Sequence, residues 1–260
     1  MAAGDPCRTH GLPTDYVVQH YMTQQQPALI HEWAVTPAEA RRIQTRLAAK
    51  VSLADAYPAL RRVAGVDVGF EDGGAVTRAA LVLLSWPTLE PLEQVLVRHP
   101  TRFPYVPGLL SFRELPAVLD AFEQLSAVPD LVFCDGQGVA HPRRLGIAAH
   151  LGVLTGLACI GVGKSRLIGR HDAVGDRRGD CTPLWLDGAR IGSVLRSRTG
   201  VRPLYVSPGH RVAQETAPQL VMQALTRFRL PEPIRAAHRL ASAPAIARAA
   251  ERSASRSPRS

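Results

Sequence analysis

An apolar run with strand character, VAGVDVGF at residues 63–70, carries one carboxylate, Asp67, near its centre. With a side-chain period of two, Asp67 shares its face with Gly65 and Gly69, and the opposite face is apolar. Glycine is a poor strand former, so small residues on both sides of a charge indicate room for a ligand, and a hard cation or a phosphate would fit. The alternative is a half-exposed acid on an edge strand without a chemical role. The run by itself leaves both readings open.

The segments that follow predict a mixed sheet flanked by helices. Two further apolar segments, at 79–86 and 94–97, complete a three-stranded meander with the first strand. After a helical stretch that ends near Leu125, a strand, a short helix and a strand follow at 131–134, 142–153 and 158–162. This βαβ pattern predicts an α/β fold whose sheet is antiparallel on one side and parallel on the other.

The last part of the chain predicts three more elements. Apolar pieces at 183–186 and 191–195 indicate a late hairpin, and a strand at 204–206 leads through Ser-Pro-Gly-His at 207–210 into a final helix. No internal repeat or linker interrupts this order.

The two ends of the chain differ in composition from its middle. Residues 1–32 contain Pro, Gly, Gln and His without periodicity and are predicted to form a loosely ordered extension, and residues 241–260 form a basic tail rich in Ser, Arg and Ala. The segment Thr36-Pro-Ala-Glu39 has the pattern of a capping box and predicts a helix that packs on the sheet. Residues 33–240 are therefore predicted to be one folded domain.

Charge and cysteine content narrow the functional class. The 260 residues carry a formal net charge of +9, mostly from arginine, which suits recognition of phosphate, although the basic tail supplies part of the excess. The four cysteines lack C-x-x-C spacing and predict reduced thiols rather than a disulfide frame or a zinc site. No apolar run of about 18 residues and no signal-peptide pattern occurs, which predicts a soluble, cytoplasmic protein.

A second candidate acid, Asp135, ends the predicted buried strand DLVFCD. Ligands gather beyond the carboxyl ends of parallel strands, where this carboxylate would lie. A simple Asp-Gly turn is the alternative. His141, Arg143 and Arg144 follow closely, and an acid with an imidazole and two guanidinium groups indicates a metal with a phosphate nearby.

Glu114 is a third candidate, and a purely structural role explains it equally well. The segment Ser111-Phe-Arg-Glu114 is itself a possible capping box, in which Glu114 would only satisfy a helix N-terminus. Pro116 would then lie inside the first turns of that helix, which weakens the simple cap. Both interpretations stay open at this level.

The loop FPYVPG at 103–108 holds one aromatic ring, Tyr105, between two prolines. A rigid aromatic side chain displayed by a basic protein would stack on nucleobases or wedge between them. The alternative is a ring packed on the core, which is the commoner fate of a lone tyrosine. The stiffness of the loop favours display.

Two more polar residues are candidates for the same site. Gly161-Val-Gly-Lys164-Ser165 lacks the spacing of a nucleotide-binding phosphate loop, but Lys164 at the end of a parallel strand would neutralise a phosphate, if it is not simply solvated. His210 precedes the predicted final helix, and a helix N-terminus favours anions, so His210 would orient water, bind metal or contact phosphate.

Taken together, these segments resemble the endonuclease V family, nucleases that act on deaminated adenine (inosine) in nucleic acid. Each motif is weak alone, but the combination is very specific and spans most of residues 36–235. Two positions, Val106 and Gly163, look like mild substitutions, and neither removes a predicted ligand. The matching segments are GVDVGF at 65–70, PYVPGLLSFRE at 104–114, DLVFCDGQGVAHPRRLGIAAHLG at 130–152, IGVGKS at 160–165 and PLYVSPGHRV at 203–212.

The resemblance implies a ribonuclease-H-like fold in which Asp67, Glu114 and Asp135 converge on Mg²⁺, with Mn²⁺ as a substitute ion. In the two-metal scheme, ions roughly 3.5 to 4 Å apart activate water and steady the leaving 3′ oxygen. Lys164 and His210 match further active-site positions. Lys164 would stabilise charge that develops on the phosphate, and His210 would complete the ligand shell or align water.

The resemblance also implies the substrate contacts. The loop at 104–107, with Tyr105 at its tip, acts as a wedge that fills the gap left by a flipped-out base. Leu110, Gly136, Ile147 and Gly163 would lie around the lesion pocket, and the role of His141 is open. The full set of predicted nucleic-acid contacts is Pro104, Tyr105, Pro107, Leu110, Gly136, His141, Ile147 and Gly163.

The predicted function is a repair endonuclease that cuts the second phosphodiester bond 3′ to deoxyinosine in DNA. It is expected to act as a monomer without an obligate protein partner. One alternative is an endoribonuclease for inosine in RNA. A second is a binding module for nucleic acid whose acids no longer catalyse.

Overall fold

The computed structural model describes residues 31–243. The predicted extension lies outside the described residues except for its last two positions, and so does the tail beyond residue 243. The helices and strands, in chain order, are α1 (Pro37–Ala48), β1 (Arg62–Glu71), β2 (Val76–Ser85), β3 (Pro91–Pro100), α2 (Leu110–Glu123), β4 (Leu131–Asp135), α3 (Ile147–Thr155), β5 (Cys159–Gly163), β6 (Cys181–Leu186), β7 (Ala189–Leu195), β8 (Leu204–His210), α4 (Thr216–Gln223) and α5 (Glu232–Ser242).

These strands form one eight-stranded sheet in the order β3-β2-β1-β4-β5-β8-β7-β6. The neighbours β1, β4 and β5 are parallel, and all other pairs are antiparallel. The predicted mixed α/β sheet is confirmed, and so is the late hairpin. That hairpin joins the same sheet through β8, so antiparallel strands flank the parallel centre on both sides rather than on one. No helix among residues 31–243 is long and apolar enough to cross a membrane.

Helices cover both faces of the sheet, and one large hydrophobic core lies on each face. Ala64 and Val66 of β1 face the core under α2 and α3, whereas Val63 of the same strand faces the core under α4 and α5. Successive strand residues point to opposite faces, so β1 contributes to both. Burial from both sides also explains the continuous apolar sequence of β4, in which every residue before Asp135 is buried.

Gly65 of β1 lets α5 lie directly on the strand. A Cβ atom added to Gly65 would lie 1.9 Å from the backbone oxygen of Pro233, at the start of α5. At Gly69 the nearest atom, the backbone oxygen of Ala241, would be 3.6 Å away. The space next to Gly65 is therefore occupied by a helix and not by a cation or a phosphate, contrary to the expectation from the sequence. The ligand space lies further along the strand, at Asp67.

Helix α1 begins at the predicted capping box, which is confirmed. The Glu39 amide donates to Thr36 Oγ1 at 3.3 Å, and the Thr36 amide donates to Glu39 Oε2 at 2.8 Å. Ala40 packs on Phe103 of the loop before α2, and Leu47 packs on α3. Helix α1 thus packs on α3 and on that loop instead of directly on the sheet.

Candidate active site

The carboxylates of Asp67 and Asp135 come from neighbouring parallel strands. The register pairs Val66 of β1 with Cys134 of β4, and the next residue on each strand is one of the two acids. Together with His238 of α5 they form the one group found among residues 31–243 whose potential ligand atoms all lie within 4.8 Å of one another. The structure therefore brings the two predicted aspartates together at the carboxyl ends of the parallel strands, where ligands of such sheets bind.

His238 belongs to this site, and the sequence interpretation missed it. Its Nδ1 lies 2.8 Å from Oδ2 of Asp67. Helix α5 buries Ile234, Ala237 and Ala241 against the sheet, which leaves His238 at the exposed edge of the helix. No motif surrounds this histidine, and 171 residues separate it from Asp67. The sequence analysis predicted one final helix after residue 210 and none at the position of α5, so only the docking of α5 on β1 reveals the contact.

Glu114 approaches the two aspartates from α2. Burial, together with the nearby charges of Asp67 and Asp135, raises the pKa of Glu114 to about 8. Glu114 is not in the group whose ligand atoms lie within 4.8 Å of one another, but the charges of the two aspartates still disfavour its ionised form. The third predicted acid is therefore in place, and it is held protonated near neutral pH when no cation is present.

The structure decides against a capping box at Ser111-Phe-Arg-Glu114. Helix α2 begins at Leu110, so Ser111 lies inside the helix, and no side chain caps it. The Ser111 hydroxyl instead contacts His150 Nδ1 at 3.0 Å, in the buried interface between α2 and α3. Pro116 also lies inside the helix, as the sequence indicated. Glu114 is thus free of any structural role at the helix terminus.

Lys164 follows β5 and reaches Asp135. Its Nζ lies 2.5 Å from Oδ2 of that carboxylate. Burial raises the pKa of Asp135, whereas the hydrogen bond and the charge of Lys164 act in the opposite direction. The ammonium group offsets part of the repulsion among the acids, and about two fifths of its side chain remains exposed for a ligand (42%). The structure places Lys164 at the predicted site.

A cavity of about 240 Å³ opens beside the acids, between α2 and α3. A Cβ atom on Gly136, which has φ 151°, would lie 2.7 Å from Cγ2 of Ile147, so a side chain there would narrow the cavity. The lining includes two of the acids and four predicted substrate-contacting residues, namely Glu114, Asp135, Leu110, Gly136, His141 and Ile147.

Gly163 was predicted beside this cavity but is not among its lining residues. A Cβ atom on Gly163 would lie 2.2 Å from Nε2 of Gln137. Gln137 itself lines the cavity, and its Nε2 donates to the Ser165 carbonyl oxygen at 3.2 Å. Gly163 therefore affects the cavity only indirectly, because it leaves space for the Gln137 side chain.

The loop between β3 and α2 displays Tyr105, as the sequence predicted. Its side chain is 67% exposed, and the flanking Pro104 and Pro107 are exposed as well. The ring is free of the core, so the alternative of a core tyrosine is wrong. The same loop continues into Gly108 and Leu110, which line the cavity, and thus connects the displayed ring to it.

His210 does not lie at a helix N-terminus. Residues 207–210 continue strand β8, and the next helix begins at Thr216. Pro208 is tolerated within the strand because the pairing with β5 shifts between Cys159 and Ile160, and prolines in sheets occur at such bulges.

The structure also places His210 away from the acids. His210 pairs with Cys159 at the start of β5, whereas Asp135 pairs with Val162 near its end, which is a separation of about 10 Å along the strand. The Ser52 amide donates to its Nδ1 at 3.1 Å, and burial lowers the pKa of His210 to about 4. His210 is therefore a neutral residue that lies apart from the acids, and His238 is the histidine that the structure brings to them.

The donor set at this site suits a divalent cation. Asp67, Asp135 and Glu114 contribute carboxylate oxygens, which hard cations prefer, and His238 adds one imidazole nitrogen. Burial is the main cause of the raised pKa of Glu114 and of Asp135, and the charges of the neighbouring acids add to it. A bound cation would release that repulsion.

The burial of Glu114 beside two other acids predicts a pH-dependent stability. The pKa of Glu114 in the folded protein, about 8, lies above its ordinary value of 4.5. Protonated Glu114 therefore contributes fully to the free energy of unfolding below pH 4.5, and this contribution is lost as the pH rises through 8. In EDTA we expect the free energy of unfolding to fall by a few kcal/mol over that range and Glu114→Gln to flatten the decline. Urea unfolding at several pH values measures this, with the exposed Glu123→Gln on the same helix as control. Identical pH profiles for the wild type and Glu114→Gln would contradict the assignment.

Comparisons with known proteins show the family of this chain. The family model of endonuclease V matches residues 45–239. The endonuclease V of Azotobacter vinelandii is 62% identical over 211 residues, which cover 81% of this chain and 96% of the relative. The crystal structure of the endonuclease V from Streptomyces avermitilis is 41% identical with a TM-score of 0.77 and covers 88% of this chain and 98% of its own.

A third relative has been solved with nucleic acid. A variant of Ciona intestinalis endonuclease V, 27% identical with a TM-score of 0.71 over 80% of this chain and 97% of its own, is in complex with a 23mer DNA containing an inosine followed by a ribo-adenosine. The predicted ribonuclease-H-like fold is confirmed by these neighbours. The paired aspartates, the cavity beside them and the match over most of the chain lead to one conclusion. This chain belongs to the endonuclease V family.

Proposed function

We propose that this chain is a DNA repair endonuclease that recognises deoxyinosine and hydrolyses the second phosphodiester bond 3′ to it, with Mg²⁺ as the required ion. Its substrate is DNA that contains inosine, and it acts without an obligate protein partner. The relative that binds an inosine-containing DNA supports the substrate class.

One observation carries the proposal: the cavity and the acids share residues. Glu114 and Asp135 line the cavity while they also belong to the acidic cluster, so a base held in the cavity would have its backbone next to the carboxylates. Enzymes that read a damaged base extrude it from the helix into such a pocket. The exposure of Tyr105, on the loop that leads to the cavity, supports a role for its ring in filling the gap that extrusion leaves.

The residues divide the work of hydrolysis among them. Asp67, Asp135 and Glu114 would hold Mg²⁺, which supplies a Lewis acid that activates water and steadies the leaving 3′ oxygen. His238 hydrogen-bonds Asp67 and so fixes the orientation of that carboxylate. Lys164, already paired with Asp135, offers a positive charge to the phosphate that accumulates negative charge in the transition state.

Cleavage of matched labelled duplexes tests the proposal. One duplex carries a single deoxyinosine and the other carries deoxyadenosine at the same position, and each is incubated in Mg²⁺ and in EDTA. We expect a nick one nucleotide beyond the inosine in Mg²⁺ alone. Equal cutting of both duplexes, or cutting in EDTA, would refute the proposal, and tight binding without any cutting would favour a non-catalytic binding module.

Removal of the Tyr105 ring should slow the cleavage of duplex substrates more than that of single-stranded substrates. We expect Tyr105→Ala to lower kcat/KM on inosine duplex about tenfold, since stacking on a base contributes about 1–3 kcal/mol. A single-stranded substrate needs no wedge, so its cleavage should change little. Trp185→Ala, which removes a ring that is 44% exposed on the edge strand β6, is the control. An equal loss on both substrates would argue against the wedge.

A second candidate function is cleavage of inosine-containing RNA. The DNA bound by the Ciona relative carries a ribo-adenosine after its inosine, which favours acceptance of a 2′-hydroxyl group at that position in that protein. Addition of a single-inosine RNA to the cleavage experiment decides between the two. Faster cutting of RNA than of DNA would make the endoribonuclease the main activity.

A further inference from the structure

The carbonyl oxygen of Gly108 accepts hydrogen bonds from three side chains. Gly108 belongs to the loop at 103–108 that displays Tyr105, which is called the wedge loop below. Gln44 Nε2 lies 3.0 Å from the Gly108 oxygen, His141 Nε2 lies 3.0 Å away and Arg143 donates at 2.8 Å. A carbonyl oxygen has two lone pairs, so three donors are more than it requires. The three donors therefore hold the Gly108 peptide group in one position.

The turn that contains Gly108 links the displayed Tyr105 to the cavity. The Leu109 amide donates to the Val106 carbonyl oxygen at 2.9 Å, Pro107 holds the second position, and Gly108 at the third position has φ 77°. These features define a type II turn, in which glycine is required at the third position. The Gly108 carbonyl thus lies in the turn that connects the displayed Tyr105 to Leu110 at the cavity.

The protonation state of His141 follows from its contacts. The Arg143 amide donates to His141 Nδ1 at 3.2 Å, so Nδ1 carries no proton and Nε2 is the donor to Gly108. Burial and the charge of Arg143 lower the pKa of His141 to about 4, which keeps the ring neutral. His141 is therefore a hydrogen-bond donor to the wedge loop.

Gln44 of α1 ties these groups together. It is 1% exposed, and it uses both ends of its amide: Oε1 accepts from Arg143 Nε at 2.5 Å, and Nε2 donates to Gly108 and to the Leu145 carbonyl oxygen at 3.2 Å. Gly108, Leu145 and Gln44 itself are all part of the cavity lining. A single buried amide thus spans the cavity wall and fixes the Arg143 guanidinium.

We propose that Gln44 is a positioning residue for lesion recognition, which holds the wedge turn and the cavity wall in the geometry that accepts an extruded base. This inference rests on the proposed function and adds a residue outside the motifs that identified the family. Without the Gln44 amide, Gly108 keeps two donors and the fold keeps its core. The cavity wall, however, loses the link between Gly108 and Leu145, and Arg143 Nε loses its acceptor, so that Arg143 is held to the loop only through its bond to Gly108.

The test replaces Gln44 by methionine, which has a similar length and volume but no hydrogen-bonding amide. We expect kcat/KM on inosine duplex to fall about tenfold, mostly through a higher KM, with kcat at saturating substrate within about threefold of wild type. The fluorescence of 2-aminopurine placed next to the inosine reports base extrusion, and we expect its rise on binding to be reduced in Gln44→Met.

Two further variants separate positioning from stability. Leu220→Ala removes buried side-chain volume on α4, on the other face of the sheet, and should lower the melting temperature without changing KM or the fluorescence rise. Gln44→Glu keeps an acceptor for Arg143 but places carboxylate oxygens against two carbonyls, so it should reproduce the KM defect. If Gln44→Met does not fold, Gln44→Glu decides by the same measurements.

The outcomes are distinguishable from failure of the proposed function. If the wild type does not prefer inosine duplex over adenine duplex, the proposed function fails. If the wild type has that preference and both Gln44 variants keep its KM and its fluorescence rise, the positioning role is overturned. A loss of kcat alone, with KM unchanged, overturns it as well, because it would place Gln44 in the chemical step.

Discussion

Replacement of Asp135 by asparagine is expected to lower the rate of inosine-directed cleavage by about three orders of magnitude or more, while binding of the duplex is largely kept. The amide has the shape of the carboxylate but no charge, so it loses a ligand for the cation and the ion pair with Lys164 at once. Single-turnover cleavage in Mg²⁺ measures the rate, and fluorescence anisotropy of a labelled duplex in EDTA measures binding.

Asp130→Asn is a matched control for this substitution. Asp130 lies at the other end of the same strand region, where its Oδ2 accepts hydrogen bonds from the Arg61 and Arg62 amides at 2.8 Å. An asparagine oxygen accepts those bonds too, so cleavage should persist. An unchanged cleavage rate for Asp135→Asn in saturating Mg²⁺ would remove Asp135 from the active site and, with it, the proposed arrangement of the acids.

Gly65→Ala should be the most damaging small substitution in the sheet. The new Cβ would meet the backbone of Pro233 at 1.9 to 2.9 Å, and backbone atoms cannot swing aside as a flexible side chain does. We expect a loss of about 3 kcal/mol or more in the free energy of unfolding, or a fall of about 10 °C in melting temperature. Cation affinity should fall too, because α5 carries His238 and would be pushed from β1.

Gly69→Ala, on the same face of the same strand, is the control. Its Cβ would have no atom nearer than 3.6 Å, which is an ordinary contact, so the change should cost less than about 1 kcal/mol. Thermal unfolding with and without Mg²⁺ measures both variants. Equal melting temperatures for Gly65→Ala and Gly69→Ala would show that α5 packs on the strand less closely than the structure indicates.

The central sheet and two of the acids could be predicted because their signals are local. Asp67 and Asp135 each end or interrupt an apolar strand run, and parallel strands bring their carboxyl ends to one edge. Lys164 follows from the same rule, since it comes directly after β5. The capping box at Thr36 is also local, as its hydrogen bonds join residues three positions apart.

The errors arose where a long-range contact overrides a local pattern. Pro-Gly before His210 is typical of a turn, but Gly209 allows the backbone of Ala148 to approach to 2.6 Å from where its Cβ would be, and β8 continues through it. Ser111 has the sequence pattern of a helix cap, but its hydroxyl contacts His150 on α3 instead. No local pattern in the sequence marks His238, because only the docking of α5 on β1 brings it to Asp67.

The dependence of the acidic cluster on α5 has a consequence for protein synthesis. A ribosome makes the chain from its N-terminus, so β1 and β4 with both aspartates emerge well before residue 238, which follows Asp67 by 171 positions. Until α5 is made and docks at Gly65, the nascent chain lacks one member of the cluster and the helix that covers β1. The group of Asp67, Asp135 and His238 is therefore completed only when nearly all of the described residues have been synthesised.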